Sequence, residues 1–225
     1  MATEMLPLFR LLQLVSPSLP TGGFTYSQGL EWAVECDWVH DHRSLIDWLQ
    51  SILHSGFVEL ELPLLKRLYA AAQKQDLVTF LHWSEFALAC RETKELRLEE
   101  MNRGRAMAKI VQELDHTTDP QWLEAVRQCQ VAGFALAALR WDINLQNAAL
   151  GYTWSWLENM VMAAVKLIPL GQTSGQQALH YLSTHTPEVV KAGLAIKDEE
   201  IAGSCPAFTI GSCLHETQYT RLFRS

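Results

Sequence analysis

Cys205, Cys213 and His215 are of the types that bind soft or borderline metal ions. A structural zinc site uses four ligands in closely spaced pairs. Here the spacing is loose and no fourth ligand is evident, so a metal role competes with buried cysteines and a packed histidine. The other histidines (40, 42, 54, 82, 116, 180 and 185) are dispersed; His40 and His42 are near neighbours in an expected loop. Pro20-Thr21-Gly22-Gly23-Phe24 carries two glycines ahead of a helical pattern. A phosphate-binding loop of the Walker type needs a Gly-Lys-Ser/Thr triplet after a strand, and neither is there. The segment reads as a tight turn shaped by Pro20, Gly22 and Gly23, with Thr25 and Gln28 as a capping box. Gly-x-Ser-x-Gly and His-Glu-x-x-His do not occur. His215 and Glu216 would point about 100° apart on a helix, which makes a poor dyad. Glu99-Glu100 and Glu199-Glu200 lie in charge-rich stretches and read as solvated. Glu158 and Lys166 interrupt the most apolar helix; they either close a core ion pair or reach an edge where another protein docks. The chain does not read as an enzyme.

The elements that must position these residues are helical. Leu45, Ile46, Leu49, Ile52 and Leu53 repeat at helix spacing behind Ser44, a plausible N-cap. Similar sets run over residues 62–72 and 77–88. From Arg91 to Leu114 the pattern turns charged. Glu99 and Arg103 sit four apart in the order that favours a helix-surface pair, and Gly104 implies close packing. Asp119-Pro120 reads as N-cap and first helical residue. The next helix is rich in small residues, from Ala132 to Ala138. A helix from about Leu145 to Leu167, apolar on most sides, is expected at the centre and stops at Pro169 and Gly171. Shorter helices follow over Ser174–Ser183 and Pro187–Ile196. No alternation of β-branched residues marks a strand.

The fold class is therefore all-α: a single-domain bundle of about eight to ten helices, with residues 1–203 as the helical domain and 204–225 as a C-terminal tail. Of 225 residues, 48% are hydrophobic and 19% charged, enough to bury a real core. The net charge of −7, from 18 basic and 25 acidic residues, argues against a general nucleic-acid binder. Five scattered cysteines without a Cys-x-x-Cys pair suit a reduced compartment. The N-terminal residues lack a basic lead-in, and the apolar run from Ala148 to Ile168 contains Glu158, Asn159 and Lys166. The expectation is a cytoplasmic protein without a membrane span.

Three segments carry a resemblance to a known family. Ser18-Leu19-Pro20-Thr21-Gly22-Gly23-Phe24-Thr25-Tyr26-Ser27-Gln28-Gly29-Leu30-Glu31 resembles the Leu-Pro-x-Gly-[Gly/Ser]-[Phe/Tyr]-x-x-Ser-x-Gly-Leu-Glu signature of the UreF family of urease accessory proteins. Ala163 to Gln172 is similar to that family's late helix and its proline-glycine exit. His215 to Ser225 resembles its His-Glu-x-Gln-Tyr-x-Arg-Leu-Phe-Arg-Ser ending, with Thr220 where serine is common. Arg91 to Arg97 resembles a charged family segment. The pieces span the chain, in order.

The resemblance implies an all-α homodimer that binds UreD (also called UreH) and the GTPase UreG and assembles with them on apo-urease. It would act as a nickel-insertion chaperone. Nickel would transit the complex, GTP would sit on UreG, and this chain would hold no cofactor of its own. Carried over by position, Glu31 and Lys166 match charged residues of the UreG-facing surface. Tyr26 and the tail residues His215, Glu216, Tyr219, Arg221, Leu222, Phe223 and Arg224 match the partner-contact region. The tail side chains look unsatisfied on their own. Two alternatives stay open: a helical metal-binding enzyme using Cys205, Cys213 and His215, and a GTPase-activating role for Arg221, since an arginine finger contributes roughly a thousandfold or more in rate.

Overall fold

The computed structural model describes residues 2–225, and side chains from Met5 onward. Met1, where the expected domain begins, lies outside the described residues. These residues form helices α1 (Ala2–Val15), α2 (Leu30–Glu35), α3 (His42–Ile52), α4 (Leu62–Gln73), α5 (Leu77–Ala89), α6 (Lys94–Leu114), α7 (Pro120–Val126), α8 (Gln130–Arg140), α9 (Leu145–Leu167), α10 (Gln172–Ala195) and α11 (Pro206–His215). No strand occurs among the described residues, as the missing alternation implies.

Local signals set several of these ends. Asp119 accepts the amide of Gln121 and Pro120 opens α7, as expected. At α3 the N-cap is Asp41 rather than Ser44. Ser44 is the third helical residue, and its amide and hydroxyl both bond Asp41 Oδ1. Asp and Ser are comparable caps; with Asp41 as the cap, Ser44 at the third helical position can accept the Asp41 amide and complete a capping box. The two helices expected around Pro187 are one, α10, with Pro187 inside. A proline removes one hydrogen bond and strains a helix, but burial of Leu182, Val189 and Val190 on both sides of it keeps the two halves one continuous helix. Between α3 and α4 the chain winds as a π-helix, Leu53–Glu61. Each wider turn rotates the residues after it relative to an unbroken α-helix, and the segment delivers Glu61 to the interior.

α8 shares the centre of the fold with the expected α9. Every residue from Gln130 to Ala138 is buried. Its small side chains let α4 and α6 close on either side. A Cβ on Gly133 would stand 2.6 Å from Met107 Cβ of α6. Gly104 answers from α6: a Cβ there would meet Val126 O at 2.8 Å. The longer α9 packs on α10, α1 and α2, but it shows Trp154 and Lys166 to solvent. No helix of the described residues is long and apolar enough to cross a membrane. On the outer side of α1, Met5, Leu8, Phe9 and Leu12 are each more than half exposed; the spacing 5, 8, 9, 12 puts them on one face.

Candidate functional site

The glycine-bearing loop and the tail are built against each other. Gly22 has φ +73° and opens a single 3₁₀ turn, Gly23–Thr25. Thr25 Oγ1 donates to Gly22 O at 2.8 Å, and Gly23 O accepts from Asn159 Nδ2 of α9 at 2.7 Å. The expected Thr25–Gln28 capping box does not form. Gln28 adopts φ +53° and sends its side chain inward, donating to Glu99 Oε1 and accepting from Trp156 Nε1, both at 2.8 Å. Gly29, with φ +81°, starts α2, and α11 lies across it; a Cβ there would be 2.6 Å from Ser212 N. A side chain at this crossing would prise α11 away.

Glu31 fastens the tail. On the first turn of α2 and 7% exposed, its carboxylate accepts the amides of Leu222 at 2.6 Å and Phe223 at 2.9 Å. His215, fully buried, sits between two carboxylates: Nε2 is 3.2 Å from Glu31 Oε2 and Nδ1 is 2.7 Å from Glu95 Oε2. Arg221 Nη1 donates to Glu95 Oε1 at 2.7 Å. Glu216 accepts the amide of Lys94 at 2.8 Å and so supplements Thr93, the N-cap of α6. Thr93 in turn bonds the Ser212 hydroxyl of α11 at 2.8 Å. The last residues return to the loop: Arg224 N donates to Thr25 O, Ser27 N to Ser225 O, and Ser225 Oγ to Glu99 Oε2. Hydrogen bonds to charged groups contribute roughly 1.5–3 kcal/mol each, so a strap with little core of its own is held firmly.

Between α6, the π-helix and the chain entering α11 lies a narrow cavity of about 80 Å³, lined by apolar side chains together with a set of charged ones. Its wall contains Glu99 and Glu100, which are 2% and 7% exposed. This corrects their reading as solvated. The N-terminal half of α6 runs under the tail and against the start of α8, where the amides of Gln130 and Val131 need an acceptor; Glu100 supplies it. Glu100 also pairs with Arg91 at 3.1 Å, and Arg91 bonds Glu61 on its other side. Tyr152 completes the group with a 2.9 Å hydrogen bond to Glu61. Burial would lower the Arg91 pKa, but Glu100 and Glu61 outweigh it and hold the guanidinium charged. Burial raises the Tyr152 phenol, helped by Glu61. Glu99 pairs with Arg103 at 2.9 Å, as the i, i+4 spacing implies, but inside the fold rather than on its surface. Burial raises the Glu99 pKa against the opposing pull of Arg103. Removing one partner from such a group strands a charge and costs about 3–5 kcal/mol.

The residues expected to meet partners divide into two sets. Tyr219 is fully exposed, Leu222 is 65% exposed, and Arg221, Arg224 and Glu216 are also exposed. Glu31, His215, Phe223 and Tyr26 are buried. The tail side chains are thus not all unsatisfied alone: Phe223 sits under Lys166, whose Nζ is 5.5 Å from the ring centroid. That contact brings the late helix to the tail. Among the described residues no ion pair joins Lys166 to Glu158; both border a groove with Phe24 and Met162, the edge geometry of the two alternatives. Burial raises the Glu158 pKa there. Cys205, Cys213 and His215 are not brought together. Cys205 is buried with Sγ 3.9 Å from Ser51 Oγ, Cys213 is exposed, and both nitrogens of His215 face carboxylates. No group of three or more His, Cys, Asp or Glu among the described residues has metal-holding geometry. Glu95, Glu61, Arg91 and Gln28 do not stand out as site residues in the sequence. Arg91 and Glu95 fall in the Arg91–Arg97 charged segment, whose charges look like those of any surface helix; Gln28 lies in the first signature segment but reads there as a cap, and Glu61 carries no signal.

The fold and this site define an all-helical protein whose first loop, second helix and C-terminal strap are locked together by buried carboxylates. The UreF family model matches residues 39–183. The urease accessory protein UreF of Alcanivorax borkumensis is 53% identical over 223 residues, covering 96% of this chain and 97% of that protein. Those of Pseudomonas putida (strain F1) and Klebsiella pneumoniae are 48% and 44% identical; the alignments cover 98% and 96% of this chain and the same shares of those proteins. The chain belongs to the UreF family of urease accessory proteins.

Proposed function

We propose that this protein is a non-enzymatic, cytoplasmic nickel-insertion chaperone that scaffolds a complex of UreD, UreF and UreG on apo-urease. In this reading it works as a homodimer and recruits UreG, holding it in a GTP-bound state competent for nickel. Nickel passes through the assembly as cargo, and GTP is bound and hydrolysed by UreG. Family membership supports the urease part of the reading. One observation carries the scaffold part: the strap is fixed by buried acceptors while Tyr219, Leu222 and Arg224 stand in solvent. Exposed aromatic and arginine side chains on a rigid support are what a binding hot spot requires. The exposed apolar row of α1 is a further surface suited to cover by another protein. Arg221 serves as a docking and strap-holding residue, since its guanidinium is already engaged by Glu95.

Deleting residues 219–225 tests the tail. The helical core should keep its circular dichroism while capture of UreD and UreG is lost. Because this deletion also removes the partners of Glu31 and Glu99, the double variant Tyr219→Ala and Leu222→Ala is the companion; it touches only exposed side chains and should weaken capture by about 2 kcal/mol or more. Normal assembly and urease activation by both variants would sink the reading.

A further inference from the structure

Beside the strap runs a cleft of about 320 Å³, between the N-terminal half of α6 and residues 216–224. Its charges do not balance. The Glu95 carboxylate is taken up by Arg221 and His215. Oε1 of Glu216 is taken up by the amides of Lys94 and Glu95. Lys94 and Arg224 are exposed, and among the described residues neither has a carboxylate within ion-pair reach. The cleft wall thus carries three cations, Lys94, Arg221 and Arg224, against two carboxylates that are both already engaged, Glu95 and Glu216, in a chain whose net charge is −7; Lys94 and Arg224 are the cations left over. Leu98 on the cleft wall is 42% exposed, and Leu222 of the adjoining strap is 65% exposed. The walls are rigid, because Thr93 and Glu216 cap α6 and Glu31 holds the strap.

We propose that this cleft docks an acidic protein segment, with an aspartate or glutamate side chain entering between Lys94 and Arg224. The proposal rests on the tail being a partner surface and adds the chemistry of what it meets. Arginine and lysine complement a carboxylate with charge-assisted hydrogen bonds. Apolar neighbours of the incoming acid would cover Leu98 and Leu222, giving the dry centre and polar rim of a protein interface. A nucleic-acid surface would need more cations, since each phosphate contact carries only a share of the affinity. Local positive charge on an acidic molecule also steers an acidic partner to this face in preference to others.

The test is binding of the full chain to the two accessory partners of the proposed assembly, by calorimetry at low and at physiological salt. The double variant Lys94→Glu and Arg224→Glu should bind about tenfold or more weakly and lose most of the salt dependence. Lys191→Glu, an exposed change on α10, should leave both unchanged. Changing the matching acid of the partner to lysine should restore binding to the double variant. Equal affinity and equal salt dependence of the double variant and the wild type would overturn the proposal while leaving the tail reading intact. Failure of the wild type to bind either partner would remove the tail reading itself. Charge-sensitive binding to RNA or to phosphatidylserine vesicles, with none to the partners, would assign the cleft to phosphate and overturn the proposal.

Discussion

Glu31 Oε1 accepts the main-chain N–H of Leu222 at 2.6 Å across a sequence separation of 191 residues. The same carboxylate takes the amide of Phe223 and faces His215. One side chain near the start of the chain thus sets the path of its end. The strap has few apolar anchors, Phe223 being the buried one, so its docking depends on these hydrogen bonds more than on the core of the bundle.

Glu31→Ala should therefore release the strap without unfolding the bundle. Losing an anionic acceptor and leaving buried donors unpaired costs roughly 2–3 kcal/mol. Amide exchange at Leu222 and Phe223 should accelerate roughly 30- to 150-fold, while protection in α8 stays unchanged. Unaltered protection at both tail amides would mean that Glu31 is not the fastening.

Gly104→Ala sets two effects against each other. Alanine is the better helix former by about 1 kcal/mol. The new methyl would stand 2.8 Å from Val126 O and 3.0 Å from Arg127 O, and backbone carbonyls cannot swing aside. Overpacking of this kind costs typically about 1–3 kcal/mol, so chemical denaturation should find the variant less stable. A gain in stability would show that α6 and the end of α7 are not in this contact.

Gly104 also marks what was legible in the sequence. A glycine in a helical pattern announces close packing whatever the partner, and Asp119-Pro120 announces a helix start, because both are local. The tail could be picked out by its residue types. The burial of Glu99 and Glu100 could not be, because adjacent acids in a charged helix look the same whether they face water or the amides of Gln130 and Val131. Their environment is made by α8 and the strap, which are distant in sequence. The local pattern misreads Gln28 for a similar reason: it favours a cap, whereas the residue takes a left-handed backbone and turns its side chain inward to Glu99 and Trp156, which are distant in sequence. α8 joins α9 at the centre because its small side chains let α4 and α6 approach it closely.

Glu99 gives a pH dependence. Burial raises its folded pKa above the unfolded value, which lies near about 4.3. The folded state then binds the proton more tightly than the unfolded one. The contribution of Glu99 is fully present below the unfolded pKa and is lost as pH rises through the folded pKa. Glu99→Gln keeps an acceptor for Arg103 and Gln28 but cannot titrate. Its stability relative to wild type should therefore improve from pH 4 to pH 8, followed by urea denaturation at each pH. A difference independent of pH, or one that moves the other way, would contradict the raised pKa.

The scaffold account is tested most directly by co-purifying the full chain with its UreD and UreG counterparts and measuring nickel on the free chain and on the complex. The account predicts a stable complex and little nickel on the free chain. Absence of a complex, together with one tightly held metal ion per free chain, would contradict it.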